Sequence, residues 1–432
     1  MYRRLLVFVC KVLIKLLRLA GKNGSALPGL VIERLYPDFL TNSLSPVEKR
    51  VILVTGTNGK TTTTKMLVAA LRGGGARVVT NSSGSNMTRG LIAALIEDMT
   101  IFGSLKPTDW FVFEMDEAYA PRFTNGIAPK LLVGLNVLRD QLDRYGEIDI
   151  TANYIKSAAG KSDIFVYNSI DPLMTAVAKV LRSGGKETVS FGVGSNLLSS
   201  VANEQSTQGV ALVVDSREPD VRLVDVGASG NAQTLTLDWG EASIEDRYQF
   251  TIPVQGFHNA LNAAAVGMVV RVLSPDNTMQ QLDAVGKMPV PFGRGERIHI
   301  KDKTVTVALV KNPSGFSTNL ETFVKQMNPE VVLFVVNDKF ADGRDVSWLW
   351  DVDFKSKVDK NTTLFTSGVR SYDMALRLKH DGLDSHSEPS LVRMIQILMK
   401  SDYQNIVIIP TYTALFEVRS ALGKYGKVPR IW

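Results

Sequence analysis

Residues 51–65 read VILVTGTNGKTTTTK, four apolar side chains in succession running straight into a turn bracketed by Gly56 and Gly59. An apolar run without alternation suits a strand covered on both faces, the usual condition of a parallel sheet. The helix-like residues 66–71 complete a strand–turn–helix unit. Such a turn aims backbone N–H groups at phosphate oxygens, with the helix N-terminus behind them. Gly56, Thr57, Asn58, Gly59, Lys60, Thr61 and Thr62 are therefore the candidate nucleotide-binding residues. Lys60 supplies a point charge for β- and γ-phosphates, and the hydroxyl of Thr61 or Thr62 suits Mg²⁺. The chain departs from the common G-x-x-x-x-G-K spacing at one place, where Val54 stands for the first glycine. ATP, with Mg²⁺, is the expected ligand.

A length of 432 residues allows two or three domains. The single cysteine, Cys10, excludes an internal disulfide, a cysteine-based zinc site and a cysteine nucleophile in the body of the chain. The histidines, His258, His299, His380 and His386, show no metal-ligand spacing. Chemistry must rest on carboxylates, lysine, arginine, asparagine and Mg²⁺. The net charge is +6, but the basic residues are scattered and form no stripe interleaved with aromatics. Nucleic acid is not an expected partner. An anionic small-molecule or lipid-linked substrate accounts for the charge equally well.

Residues 1–45 read as an amphipathic helix and a connecting segment. Arg3, Arg4, Lys11, Lys15 and Arg18 interrupt its apolar residues, so no uncharged run of about 18 residues exists and no spanning helix is expected. Lys11, Lys15 and Arg18 fall on one helical face. That helix either lies on a membrane surface or packs on the body with its basic face in water. From residue 46 onward, strand-like runs at 77–79, 110–113, 131–135 and 163–167 alternate with helical patterns, which implies a parallel sheet. Residues 193–250 read as a β-rich antiparallel insertion, with Val210, Leu212, Val214, Leu235, Leu237 and Phe250 facing inward. A helix over 257–273 and the linker PVPFG close this unit near residue 295. A second α/β unit, 296–432, carries strand-like runs at 305–310, 331–336, 363–365 and 406–409.

Further segments fit around the glycine turn. FEMDEA sets Glu114, Asp116 and Glu117 at the carboxyl end of a strand, where open α/β sheets bind ligands and where hard carboxylates suit Mg²⁺. Asn136, Asp140 and Asp143 follow the next strand, Asn259 and Asn262 share a helical face, and Arg294 stands at the junction of the two units. From that junction an arginine is able to clamp phosphates.

In this order, TGTNGKTT, the carboxylate strand end, N-x-x-x-D-x-L-D, G-x-x-N-x-x-N-x-x-A and the G-R linker resemble the Mur ligase family over about residues 50–300. The resemblance implies an α/β fold. A central Mur ligase-like P-loop domain (46–295), with its parallel sheet and the inserted antiparallel segment, precedes a C-terminal α/β domain (296–432). It also implies chemistry: ATP phosphorylates a substrate carboxylate and an amine attacks the acyl phosphate. Lys60 and Thr61 would hold phosphate and Mg²⁺, Glu114 would ligate Mg²⁺, Asn259 would face adenine and Arg294 would contact phosphate. The family's metal-binding histidine is Gln141 here, and Lys156 matches a lysine that can be carbamylated.

Six later segments narrow the resemblance: NSSGSNMTRG (81–90), LRDQLDRYGE (138–147), VKNPSGF (310–316), ADGRDVSWLWDVDF (341–354), SGVRSYDMALRLK (367–379) and PTYTAL (410–415). They are similar to the Mur ligase subfamily formed by the synthetase subunits of lipid II isoglutaminyl synthases. That likeness implies ATP-dependent amidation of the D-glutamate α-carboxylate in the lipid II stem peptide, within peptidoglycan biosynthesis. Ammonia would come from a GatD-like class I glutamine amidotransferase subunit, and the place of work would be the cytoplasm, with the inner face of the plasma membrane as a peripheral station. In this subfamily an aspartate completes the partner's Cys-His pair; Asp342, Asp345 and Asp351 are the candidates, and Asp345 and Asp351 are not separable by sequence. Many members carry a four-cysteine zinc ribbon in the central domain, which this sequence cannot build, so no zinc is expected. The alternative is an amino-acid-adding Mur or folylpolyglutamate-type ligase without a glutaminase. Ala308 and Lys311 oppose it, standing where that class has Asp and His.

Overall fold

The structure, a computed structural model, describes residues 2–19, 26–81, 88–138, 148–198, 201, 217–229, 232–240, 247–290 and 293–429. Its first nine strands are β1 (Val51–Thr55), β2 (Val78–Thr80), β3 (Trp110–Glu114), β4 (Leu131–Gly134), β5 (Ile164–Asn168), β6 (Glu187–Val193), β7 (Val221–Ser229), β8 (Ala232–Asp238) and β9 (Arg247–Ile252). They form one sheet in the order β2-β3-β1-β4-β5-β6-β7-β8-β9. The strands from β2 across to β7 pair in parallel, and β8 and β9 close the edge antiparallel.

The unbroken apolar run of β1 is explained by the layers above and below it. Ile52 and Val54 enter one core with Met66 and Leu67 of α3 (Lys60–Gly73) and Ala260 and Ala263 of α7 (Phe257–Leu273). Val51 and Leu53 enter the opposite core with Val7, Cys10 and Ile14 of α1 (Tyr2–Leu19), Ile32 of α2 (Ala26–Leu35) and Leu91 and Leu95 of α4 (Thr88–Asp98). Successive side chains of a strand point to opposite faces, so a strand covered twice has no polar position to spare. Two more helices, α5 (Ile148–Ala159) and α6 (Pro172–Ser183), flank β4 and β5.

The segment expected as an antiparallel insertion prolongs this sheet. Phe191 of β6 pairs with Val221 of β7 in parallel, and only β7-β8-β9 form the antiparallel meander. Leu235, Leu237 and Phe250 are buried as expected, while Val210, Leu212 and Val214 lie outside the described residues.

The second sheet has the order β10-β11-β15-β12-β13-β14; its strands are β10 (Arg294–Ile300), β11 (Lys303–Ala308), β12 (Val331–Val335), β13 (Thr363–Ser367), β14 (His386–Ser387) and β15 (Asn405–Pro410). All pairs but β10–β11 are parallel. Val331, Leu333 and Val335 face one core, and Val332, Phe334 and Val336 the other. Four helices accompany this sheet: α9 (Pro313–Asn319), α10 (Ser371–His380), α11 (Leu391–Lys400) and α12 (Tyr412–Leu422), while α8 (Thr278–Val285) packs on α3 in the first unit. Arg294 thus opens a strand.

Candidate active site

The chain leaves β1 toward β2 and β3 on one side and returns to β4 on the other, so β1 is where the strand order reverses. Crevices at the carboxyl ends of such strands are where open α/β sheets take ligands. The Gly56–Lys60 turn is held there by its neighbours. Gly56 has φ +131°, and a Cβ on it would meet the Asn136 backbone at 2.9 Å. Gly59 has φ +89°, and a Cβ there would lie 2.6 Å from the Asn262 side chain. Only glycine meets both demands, a left-handed backbone and a near neighbour. Asn136, just past β4, accepts from the Asn58 N–H through Oδ1 at 2.9 Å and donates from Nδ2 to the Asn58 carbonyl at 3.1 Å. Thr57 exchanges hydrogen bonds with Leu138 through its hydroxyl.

Glu114 ends β3 facing this turn. Its backbone is fixed by Asn81, which accepts from the Glu114 N–H at 3.0 Å and donates to its carbonyl at 2.8 Å. The carboxylate is 3 % exposed, and its Oε2 has no hydrogen-bond partner among the described residues. Burial pushes the Glu114 carboxyl up from the usual carboxylate range, opposed by a hydrogen bond from Thr61 and by the charges of Lys60, Arg294 and Lys311. Burial likewise holds Arg294 and Lys65 below their ordinary values, with Glu114 opposing in both cases. The buried Glu114 carboxylate therefore stands among four cations, Lys60 and Lys65 of α3, Arg294 of β10 and Lys311 just ahead of α9. A buried acceptor left open is costly unless something is meant to fill it. The Thr61 hydroxyl and a Glu114 oxygen are hard donors of the kind Mg²⁺ takes while keeping several waters.

Lys60 is not idle in this arrangement. Its Nζ donates to the Gly56 carbonyl at 2.5 Å and pairs with Glu117 Oε2 at 3.0 Å, both side chains being almost fully buried. The second unit reaches the same turn: Asn312 Nδ2 donates to Asn58 Oδ1 at 3.1 Å, Asn58 Nδ2 donates to Ser314 Oγ at 3.3 Å, and Lys311 Nζ donates to the Thr57 carbonyl at 3.4 Å. Asn312 also caps α9 by accepting from the Gly315 N–H. His258 sits beside Arg294, and burial together with that charge pushes its imidazole down to about 4.

Two family models match this chain: the Mur ligase middle domain over residues 54–270 and the MurT ligase C-terminal domain over residues 309–415. The chain belongs to the Mur ligase family. This Mur ligase is 29% identical to the lipid II isoglutaminyl synthase (glutamine-hydrolyzing) subunit MurT of Streptococcus pneumoniae, over 93% of each chain. It is 27% identical to the MurT subunit of Staphylococcus aureus, over 97% of each. Among solved structures, MurC of Thermotoga maritima superposes with a TM-score of 0.64 at 18% identity, covering 92% of this chain and 82% of that one. MurF of the same organism, in complex with ADP, gives 0.66 at 15% identity over 92% and 84%. These superpositions establish the α/β fold.

Of the residues singled out from sequence, the turn 56–62, Glu114 and Arg294 come together in this Mur ligase. Asn259 lies buried on α7 and donates to the Gln255 carbonyl at 2.6 Å, and Asn262 on the same helix abuts the turn. Lys156 lies half-buried in the last turn of α5, with no side-chain partner among the described residues. Asp140, Gln141 and Asp143 lie outside them. The three aspartates of the 341–354 segment are not equivalent. Asp342 is buried and binds Thr413 through its N–H and hydroxyl. Exposed Asp345 accepts from the Ser347 N–H and hydroxyl at 2.8 and 2.9 Å, which holds its carboxyl below the usual range. Exposed Asp351 has no polar partner among the described residues. Neither exposed aspartate is among the charges that act on Glu114. Glu117, expected from sequence beside Glu114 as a carboxylate suited to Mg²⁺, is instead paired with Lys60. Lys65 and the Asn58 contacts of Asn312 and Ser314 were not legible as site features, and KNPSGF carried a family likeness but no sign of which turn it would touch.

Proposed function

We propose that this chain is the synthetase subunit of a glutamine-dependent ligase that amidates the D-glutamate α-carboxylate of the lipid II stem peptide. The observation that carries the reading is the joint one: a phosphate turn facing an open buried carboxylate, in a chain similar along nearly its whole length to MurT subunits. The substrate carboxylate would attack the γ-phosphorus of ATP, expelling ADP and forming an acyl phosphate. Ammonia would then attack the acyl carbon, expel inorganic phosphate and lose a proton to leave D-isoglutamine. Lys60 and Arg294 would hold phosphate oxygens, Lys60 leaving Glu117 to do so, and Asn259 would face the adenine. Mg²⁺, held by Thr61 and Glu114, would neutralise charge between the β- and γ-phosphates. Oriented backbone N–H groups of the 56–60 turn would stabilise charge as it moves to the leaving oxygen.

Ammonia at neutral pH is mostly ammonium, which is not a nucleophile, so delivery in place by a GatD-like glutaminase subunit is chemically apt. Cys10, buried in α1, cannot be that nucleophile. Asp351 is the better candidate to orient the partner's histidine, since Asp345 spends both oxygens on Ser347. A carboxylate in that place fixes the imidazole tautomer and stabilises imidazolium. The partly exposed Trp350, its neighbour in the chain, gives this aspartate an apolar flank for a partner surface. Among the described residues no helix is long and apolar enough to cross a membrane, and the work would be done at the cytoplasmic face. Mass spectrometry of lipid II after incubation with the partner, ATP and glutamine tests the whole reading. Unchanged stem peptide, or incorporation of an amino acid in place of nitrogen alone, would overturn it.

A further inference from the structure

Helix α1 is apolar on two opposite faces. Val7, Cys10 and Ile14 face inward at 0 %, 0 % and 5 % exposure and join the core that covers β1. Leu5, Phe8, Val9, Val12 and Leu16 recur at i, i+3, i+4, i+7 and i+11, the spacing of a single stripe on the opposite face. They are 43–62 % exposed. Ile101 and Phe102, at 59 % and 65 % exposure, add apolar surface beyond the Arg4 side of the helix, because a Cβ on the adjoining Gly103 would lie 3.6 Å from the Val7 side chain and 3.7 Å from the Arg4 Cα. Cations border one flank: Arg4 and Lys15 are exposed, and Lys106 acts on Lys11, which donates to the Glu97 carbonyl at 3.1 Å. Glu97 and Asp98 also face Lys11, and Asp98 is paired with Arg77.

Sequence alone offered a membrane-surface helix or a helix packed on the body. Here the helix is packed, and a second apolar face still looks outward. Contiguous exposed apolar surface beside cations is the pattern of a helix lying in the headgroup region of an anionic bilayer. We propose that the outer face of α1, with Ile101 and Phe102, docks this protein on an anionic lipid surface. The helix would lie parallel to the bilayer, held to the protein by Val7, Cys10 and Ile14. The choice of a lipid occupant rests on the reading that the substrate is lipid-linked. Anionic headgroups complement the Arg4 and Lys15 flank, whereas a second copy of the chain would offer it only the same basic-edged face.

The test uses the full chain together with its glutaminase partner. Co-sedimentation is measured with phosphatidylcholine vesicles with and without phosphatidylglycerol, at low and high salt. Binding is expected only with phosphatidylglycerol present and should weaken with salt. Phe8→Ser/Val12→Ser should lower the partition coefficient roughly tenfold or more, and the independent pair Leu5→Ser/Leu16→Ser should do the same. Amidation of a short-chain, water-soluble lipid II analogue should be unchanged in both variants, so loss of that activity in the wild type would count against the ligase reading and not against docking. Wild-type protein that ignores anionic vesicles overturns the proposal. So does light scattering in which the double variants abolish a dimer while vesicle binding stays at wild-type level.

Discussion

Glu117→Gln is the substitution whose outcome separates a phosphate lysine from a core lysine. Lys60 spends its charge on Glu117 at 3.0 Å, and the two side chains are only 8% and 5% exposed. A hydrogen bond to a charged group contributes ~1.5–3 kcal/mol, and an amide acceptor retains part of that, so Gln should cost the empty protein ~1–2 kcal/mol. In the nucleotide complex the phosphates take over Lys60, and the pair no longer contributes. The cycle then returns the loss as affinity: about 1.4 kcal/mol is tenfold. Isothermal titration should find Glu117→Gln binding Mg²⁺–ATP roughly tenfold more tightly than wild type, with the empty protein melting earlier and the complex melting much as before. Equal or weaker ATP affinity, with the same loss of melting temperature in both states, would show that Lys60 keeps Glu117 throughout and would refute its displacement by phosphate.

Glu114→Gln should abolish the Mg²⁺ dependence of ATP turnover while metal-free nucleotide binding changes less; a magnesium titration identical to wild type would leave Glu114 without a metal role. Asp351→Asn should cripple glutamine-dependent amidation, and ammonium at raised pH should restore it, whereas Asp345→Asn should chiefly loosen the Ser347 turn. If the effects are reversed, Asp345 is the orienting residue, and loss that ammonium cannot restore points to the synthetase site. His258 is held at about 4 by burial and Arg294, below its unfolded value, so its contribution is complete above pH ~6.5 and is lost as pH falls through 4, on the order of 3 kcal/mol in all. His258→Gln should flatten the acid limb of the stability profile between those values, which denaturant melts at stepped pH will read; an unaltered slope would remove His258 from the account.

The phosphate turn and the strands around it were legible because each had a local cause. The unalternating VILV run needs cover on both faces, and Gly56 and Gly59 need positive φ. The helix over 257–273 was equally plain, since nearly all of its sides are apolar. What escaped was decided at long range. β10 reads RGERIHI, a half-polar edge strand that looks like linker until β11 pairs with it. Asn312 and Ser314 meet Asn58 across more than 250 residues, with no periodicity to announce it. The basic spacing of Lys11, Lys15 and Arg18 drew attention to one side of α1, while the outward apolar stripe could be recognised only once Val7, Cys10 and Ile14 were seen to be the inward side.

Cys10 gives the protein a built-in gauge. It is the sole thiol in the chain, fully buried under α1, where its Sγ lies 3.8 Å from the Pro28 carbonyl and burial pushes the thiol up. A water-borne thiol reagent can reach it only when α1 lifts from the helices beneath. The rate of modification therefore clocks that lifting with no label engineered into the molecule. Any surface position can also be given a second cysteine and derivatised selectively while the native one stays silent.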